Sequence, residues 1–227
     1  MEKITTSIII RAFNAEKTLA RAIRSALQQS ASDFEVIIVN DGSTDGTARA
    51  AKEFTRDPRV RIVEQENHGI IGASNSGFRA ARGDIVQLLD ADDEAMPDFV
   101  ASAEVALADP TVDYAYGAYF EEHRGVQKSV VPTEPFKAPA GAFAWRRETL
   151  LAEGGFSGDS AFPEYEILLR TWGRWKGARS ETPVFIYHRS AGSMTGDPVL
   201  VEASLKTLRG RYPERANEIA AIRSYDL

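Results

Sequence analysis

An open α/β fold, with a mostly parallel central sheet and helices on both faces, follows from three features of this 227-residue chain. Short β-branched or aliphatic runs alternate with segments whose apolar residues recur every three or four positions. The runs end in Asn, Asp, Gly and Ser clusters, which turn the chain and start helices. The composition, 43% apolar and 26% charged, is that of a chain that folds around a core. Strands alternating with helices pair in parallel, because each helix returns the chain to the starting edge of the sheet.

Ser7–Ile10 is the first predicted strand, and Asn14 is placed to cap the helix after it. In that helix Leu19, Ile23 and Leu27 recur at spacing four with Ala22 and Ala26 beside them, giving one apolar face. Glu35–Val39 (EVIIV) is a second strand, and the turn Asn40–Thr47 (NDGSTDGT) opens a helix through Ala48, Ala51 and Phe54. Val60–Val63 is a third strand, and Ile70–Arg82 is a helix stopped by Gly83-Asp84. Ile85–Leu89 (IVQLL) is a fourth strand, followed directly by Asp90-Ala91-Asp92-Asp93. Pro97 opens the next helix, through Phe99, Val100, Ala103 and Leu107, where its missing N–H has no helical partner.

The second half is less regular. Asp113–Phe120 alternates as a strand, Thr133–Pro139 is a proline-bearing loop, and Ala142–Trp145 is a further strand. Arg147–Glu153 is a short helix stopped by Gly154-Gly155, Pro163–Lys176 a longer one, and Pro183–His188 a late strand. From Pro198 the chain reads as helical twice, broken near Gly210–Pro213.

The absence of cysteine excludes disulfides, thiolate zinc sites, iron–sulfur clusters and a cysteine nucleophile. A net charge of −6 argues against nonspecific nucleic-acid binding. The apolar run after Thr6 is too short for a signal-peptide core, and no run approaches the ~18 residues of a membrane span. A cytoplasmic protein is expected, with peripheral membrane contact open. Neither Gly-x-Gly-x-x-Gly nor the P-loop pattern occurs, which weighs against a dinucleotide dehydrogenase and a P-loop kinase.

Ligands of open α/β sheets bind beyond the carboxyl ends of the strands. That rule selects Arg11–Asn14, Asn40–Ser43 and Asp90–Asp93. Three carboxylates within Asp90–Asp93 repel one another. As a hard oxygen site they suit Mg²⁺ or Mn²⁺, which bridges phosphate oxygens; as a solvated turn they need no ligand. Asp41 either turns the chain with Gly42 or accepts a hydrogen bond from a nucleobase, since Ser43, Thr44 and Asp45 already supply capping groups. Phe13 is either core or a stacking surface for a base. Glu164 and Glu166 near a helix start complement the helix dipole. Glu166 also suits an ion pair with Arg170, four residues on. Periodicity alone does not say whether either glutamate acts as a base. His68, His123 and His188 match no zinc spacing, and His188 ends a strand.

The order of these segments resembles the family 2 glycosyltransferases of the GT-A fold. The resemblance runs through SIIIRAFNAEKTLARAIRSALQQS, FEVIIVNDGSTDGT, NHGIIGASNSGF and ARGDIVQLLDADD, then more loosely through RRETLLAEGGF, FPEYEILLR and YHRSAGSMT. It implies one domain over 1-227, with a nucleotide-sugar-binding half (1-109), an acceptor-binding and catalytic half (110-197) and a helical tail (198-227). The implied activity is inverting sugar transfer from a nucleotide-diphosphate sugar, usually a UDP-sugar, to a hydroxyl of a glycan or lipid-linked sugar. Ala12, Phe13, Asn14, Glu16, Asp41, Asn75, Asp90, Ala91 and Asp92 would bind the nucleotide sugar. Asp92, Asp93 and His188 would hold Mn²⁺ or Mg²⁺. The family's base lies six residues before a helical Arg, which makes it Glu164, with Arg170 as that Arg. The acceptor would lie against Ala142–Arg147 and the helix bearing Glu164.

Five positions depart from the family pattern. Arg11 replaces a usual Pro, Asn40 a usual Asp, and Ser74 a common Arg; Pro163-Glu164 replaces Glu-Asp, and Ser190-Ala191 replaces His-Pro. They keep a second function in view, a noncatalytic module that binds nucleotide sugars. A third, a sugar-phosphate nucleotidyltransferase, ranks last because Ile10–Asn14 has no glycine for a triphosphate loop.

Overall fold

The computed structural model describes residues 4–189 and 197–222. A seven-stranded sheet runs through it. Its first half is built from β1 (Thr6–Ala12), α1 (Leu19–Leu27), β2 (Phe34–Asp41), α2 (Thr47–Lys52), β3 (Val60–Gln65), α3 (Gly69–Ala80), β4 (Ile85–Asp90), β5 (Glu94–Ala95) and α4 (Phe99–Ala106). The second half supplies β6 (Tyr114–Gly117), β7 (Tyr119–His123), β8 (Val126–Val130), β9 (Phe143–Arg146), α5 (Arg147–Ala152), α6 (Pro163–Thr171), β10 (Gly177–Ser180), β11 (Phe185–His188), α7 (Pro198–Arg211) and α8 (Ala216–Ala221). The main sheet has the order β10-β6-β9-β4-β1-β2-β3, and β9 alone runs antiparallel to its neighbours β4 and β6. A smaller sheet has the order β5-β11-β7-β8.

Alternation along β1 assigns the layers. Ile9 faces α3, where Gly77 leaves no room for a side chain: a Cβ there would lie 2.3 Å from Ile9 Cγ2. Gln87 of β4, beside Ile8 in the register, donates to the Phe99 carbonyl of α4 at 3.1 Å, so α4 covers the opposite face. β1, β2 and β4 are buried on both faces, which explains the aliphatic runs of β1 and β2 and the single, hydrogen-bonded Gln87 that interrupts that of β4.

The structure changes several expected elements. Asp113–Phe120 is two strands in two sheets: the chain passes between them at Gly117–Ala118, where Ala118 N–H bonds the Ser180 carbonyl and its own carbonyl accepts from Val184. The helix from Pro163 ends at Thr171, where Trp172 turns extended and Gly173 takes φ +79°. The Thr133–Pro139 loop contains a 3₁₀ turn, Pro135–Lys137. Asn14 does not cap α1; its φ is +50°, and Thr18 stands at the cap position. β5, β8 and β10 were not expected. They are short or exposed edge segments whose only strand signal is their partner.

Candidate active site

Parallel pairing of β1 with β4 sets Arg11 opposite Asp90 at the carboxyl edge of the sheet, on the α3 side. The Arg11 guanidinium pairs with Asp90 through Nη2 and donates to Ser74 Oγ through Nη1 at 3.2 Å. Arg11 and Ser74 are buried, and Arg11 Nε has no hydrogen-bond partner.

At the end of β2, Asp41 is 3% exposed. Its Oδ1 accepts from Gln65 Nε2 at 2.6 Å and from the His68 backbone N–H at 2.9 Å. Both bonds fall on one oxygen, so the carboxylate is held in a set orientation and Oδ2 remains for another donor. Gly42 follows with φ +72°, and a Cβ there would lie 2.6 Å from the Asn67 nitrogen, so only glycine lets the two loops meet.

Asn14 and Glu16 join the loop after β1 to the loop after β2. Asn14 N–H donates to Ser43 Oγ at 3.0 Å, its Oδ1 accepts from Thr44 N–H at 2.9 Å, and Glu16 Oε2 accepts from Gly46 N–H at 2.9 Å. Phe13, between these ties, is 51% exposed.

Beyond β4, burial and the neighbouring Asp90 charge raise the pKa of Asp92. Asp93 is fully buried; its Oδ1 accepts from His188 N–H at 2.9 Å and, among the described residues, its Oδ2 has no hydrogen-bond partner. Burial first, then the charges of Asp90 and Asp92, hold the Asp93 carboxyl well above the usual range. Arg21 of α1 ties this loop down, bonding the Asp92 carbonyl and approaching Glu94 at 3.4 Å. Sequence reading passed over Arg21; its place beside the Leu19–Ile23 stripe of α1 was the available signal.

His188 sits between two carboxylates: Nε2 meets Glu94 Oε1 at 2.8 Å and Nδ1 meets Glu122 Oε2. Among the described residues no three His, Asp or Glu side chains form a ready metal cage. The donor set still fits Mg²⁺ or Mn²⁺. Crowded carboxylate oxygens at a strand end lose their repulsion to a hard cation, and Mg²⁺ is commonly held by one or two carboxylates plus substrate phosphates.

The first turn of α6 carries Glu164 and Glu166, both buried. Among the described residues Glu164 Oε2 has no hydrogen-bond partner. Burial pushes its carboxyl up to about 7; its own backbone N–H and the charge of Arg11 pull it down, and Asp90 pushes it up. Glu166 is fully engaged. Oε1 accepts from Tyr212 Oη, Oε2 accepts from Ser157 Oγ at 3.1 Å, and Arg170 Nε lies 3.4 Å away.

Other expected contacts sit elsewhere. Asn75 points its amide at the backbone of Phe156, accepting at 2.9 Å and donating at 2.8 Å, so its side chain is committed to the α3–α5 corner. Ala12 and Ala91 are buried in the core and offer a ligand only backbone. Of Ala142–Arg147, Arg146 pairs with Ile85 and Arg147 Nε donates to the Gly83 carbonyl at 2.9 Å, at the opposite edge of the sheet from Asp90. Ser190-Ala191 lies outside the described residues.

Comparison with known proteins bears on the family and the fold. The sequence model of glycosyl transferase family 2 matches residues 7–159. The chain is 39% identical over 123 residues to a chondroitin synthase of Escherichia coli, a match spanning 54% of this chain and 18% of that protein. It is 39% identical over 121 residues to a hyaluronan synthase of Pasteurella multocida, spanning 53% and 12%. The matches thus cover less than a fifth of those two relatives. Among solved structures, a mannosyltransferase of Pyrobaculum calidifontis, in complex with GDP-Man and Mn²⁺, superposes with TM-score 0.75 at 20% identity over 95% of this chain and 68% of that one. Staphylococcus aureus TarS with UDP-GlcNAc superposes with TM-score 0.73 at 18% identity over 90% and 64%. These likenesses establish the GT-A fold.

Proposed function

The chain belongs to glycosyl transferase family 2, and we propose that it transfers a sugar, with inversion, from a nucleotide-diphosphate sugar to a hydroxyl of a glycan or lipid-linked acceptor. The observation that carries the reading is the buried Glu164, whose Oε2 has no hydrogen-bond partner among the described residues and whose charge neighbours are Arg11 and Asp90 of the strand ends.

The donor's base would stack on Phe13 and give its imide N–H to Asp41 Oδ2, which matches a uracil. Asp90 would accept from the ribose. Asp92, backed by Asp93, would hold Mn²⁺ or Mg²⁺, which supplies positive charge to the leaving diphosphate. As the acceptor oxygen forms its bond to the anomeric carbon, its proton passes to the Glu164 carboxylate. The bond from that carbon to the diphosphate breaks in the same displacement, and the electron pair leaves with the nucleoside diphosphate. A base with a pKa near 7 is charged often enough to accept the proton and basic enough to keep it. The transition state resembles an oxocarbenium ion, which a ring of carboxylates stabilises. Glu166 has no such freedom.

Calorimetric titration of UDP, and then of GDP, with Mn²⁺ or with EDTA tests the donor site. Metal-dependent binding is expected, and Asp92→Asn is expected to abolish the metal dependence. Binding that keeps its metal dependence in that variant moves the cation site; binding of a nucleotide sugar with turnover of no acceptor favours a noncatalytic module.

A further inference from the structure

Two of the departures from the family pattern, Arg11 for Pro and Ser74 for Arg, lie in contact. Ser74 is fully buried on α3, and its hydroxyl donates to the Ile70 carbonyl at 2.6 Å. That bond uses the only hydroxyl hydrogen, so the oxygen is left to accept, and Arg11 Nη1 donates to it at 3.2 Å. The same guanidinium holds Asp90 with Nη2, and its charge reaches Glu164. Asp90, Asp92 and Glu164 together place negative charge where an anionic diphosphate must bind. A buried guanidinium among them offsets that charge and fixes the Asp90 carboxylate at the strand end.

We propose that Arg11 is the positioning residue of the donor pocket. Seated on Ser74, it holds Asp90, and it brings from β1 the positive charge that the family pattern places at position 74 of α3. The inference rests on the donor reading above. The planar guanidinium meets Ser74 and Asp90 from two separate nitrogens held in a fixed fork, whereas an ammonium would have to place one nitrogen within reach of both. An arginine at position 74 fits only when the Arg11 side chain has gone, because both would fill the same buried corner.

The test compares wild type, Arg11→Met, Arg11→Lys, Ser74→Arg and Arg11→Met/Ser74→Arg. UDP and GDP titrations in the presence of Mn²⁺ report the site, and urea unfolding of the free proteins reports the fold. Arg11→Met is expected to weaken nucleotide binding by about tenfold or more, as loss of a charged hydrogen bond does. Arg11→Lys recovers little of that loss, Ser74→Arg alone loses both binding and stability, and the double variant regains most of the affinity. Wild-type affinity in Arg11→Met, with only its unfolding midpoint lowered, reduces Arg11 to a support of the fold and overturns the proposal. A double variant that binds no better than Arg11→Met overturns the exchange. Failure of the wild type itself to bind either nucleotide sinks the donor reading and the inference with it, a result distinct from losses confined to the variants.

Discussion

Helix α6 presents two glutamates two residues apart to two different surroundings. On the sheet side, Glu164 meets the strand ends with an oxygen that has no hydrogen-bond partner among the described residues. On the tail side, Glu166 is enclosed by Tyr212, Ser157 and Arg170, so both of its oxygens have partners. An unsatisfied buried carboxylate lowers stability, and a satisfied one does not. Under the proposed function, the difference separates a side chain kept for chemistry from one kept for the fold, although both share a residue type, a helix turn and near-total burial.

The largest effect that could break this comparison is kinetic. Glu164→Gln is expected to lower release of nucleoside diphosphate from the nucleotide sugar, in the presence of acceptor, by about 10²–10⁴-fold. Nucleotide affinity measured by calorimetry should be unchanged. Turnover at wild-type rate in that variant would remove the distinction between the two residues. Next in size is Glu166→Ala, which leaves Arg170 and Tyr212 without their buried partner; a loss of about 3 kcal/mol is expected in urea unfolding.

Glu164 should also mark the pH dependence of stability. The folded protein holds its proton up to about pH 7, against an ordinary value of 4.5. The fold therefore binds the proton more tightly than the unfolded chain. Stability falls as pH rises through that window, by up to about 3 kcal/mol. Glu164→Gln removes this contribution and leaves those of Asp92 and Asp93, whose carboxyls are raised too, so its unfolding midpoint at pH 8 should exceed that of wild type, while the two converge near pH 4. A slope that persists unchanged in the variant would place the titrating group elsewhere. The smallest effect sharpens the tail side: Tyr212→Phe deletes one hydrogen bond to the Glu166 carboxylate and is expected to lower stability by about 1.5 kcal/mol, leaving nucleotide affinity as it was.

Local chemistry made much of this protein legible before its structure. Ser7–Ile10, Glu35–Val39 and Ile85–Leu89 read as buried strands, because aliphatic residues fall on both faces of each. The turn residues that follow them announced where ligands belong. The second half was harder to read because its strands depend on distant partners. β10 exists because β6 lies beside it, and the Asp113–Phe120 run divides because Ser180 and Val184 capture Ala118. Asn75 carried a motif position, yet the backbone of Phe156, 81 residues on, took its amide.

The sequence by itself determined the α/β class, the carboxyl edge that holds the site and the carboxylates gathered there, since these follow from periodicity and from residues adjacent in the chain. Tertiary structure alone decided which partners each charge meets. Arg11 finds Asp90 through strand register, His188 lies between Glu94 and Glu122, and Tyr212 occupies Glu166 while, among the described residues, Glu164 Oε2 has no partner. The physical reason is that a carboxylate's pKa and freedom are set by desolvation and by the charges within a few ångströms of it, and in a folded chain those neighbours come from sequence far away.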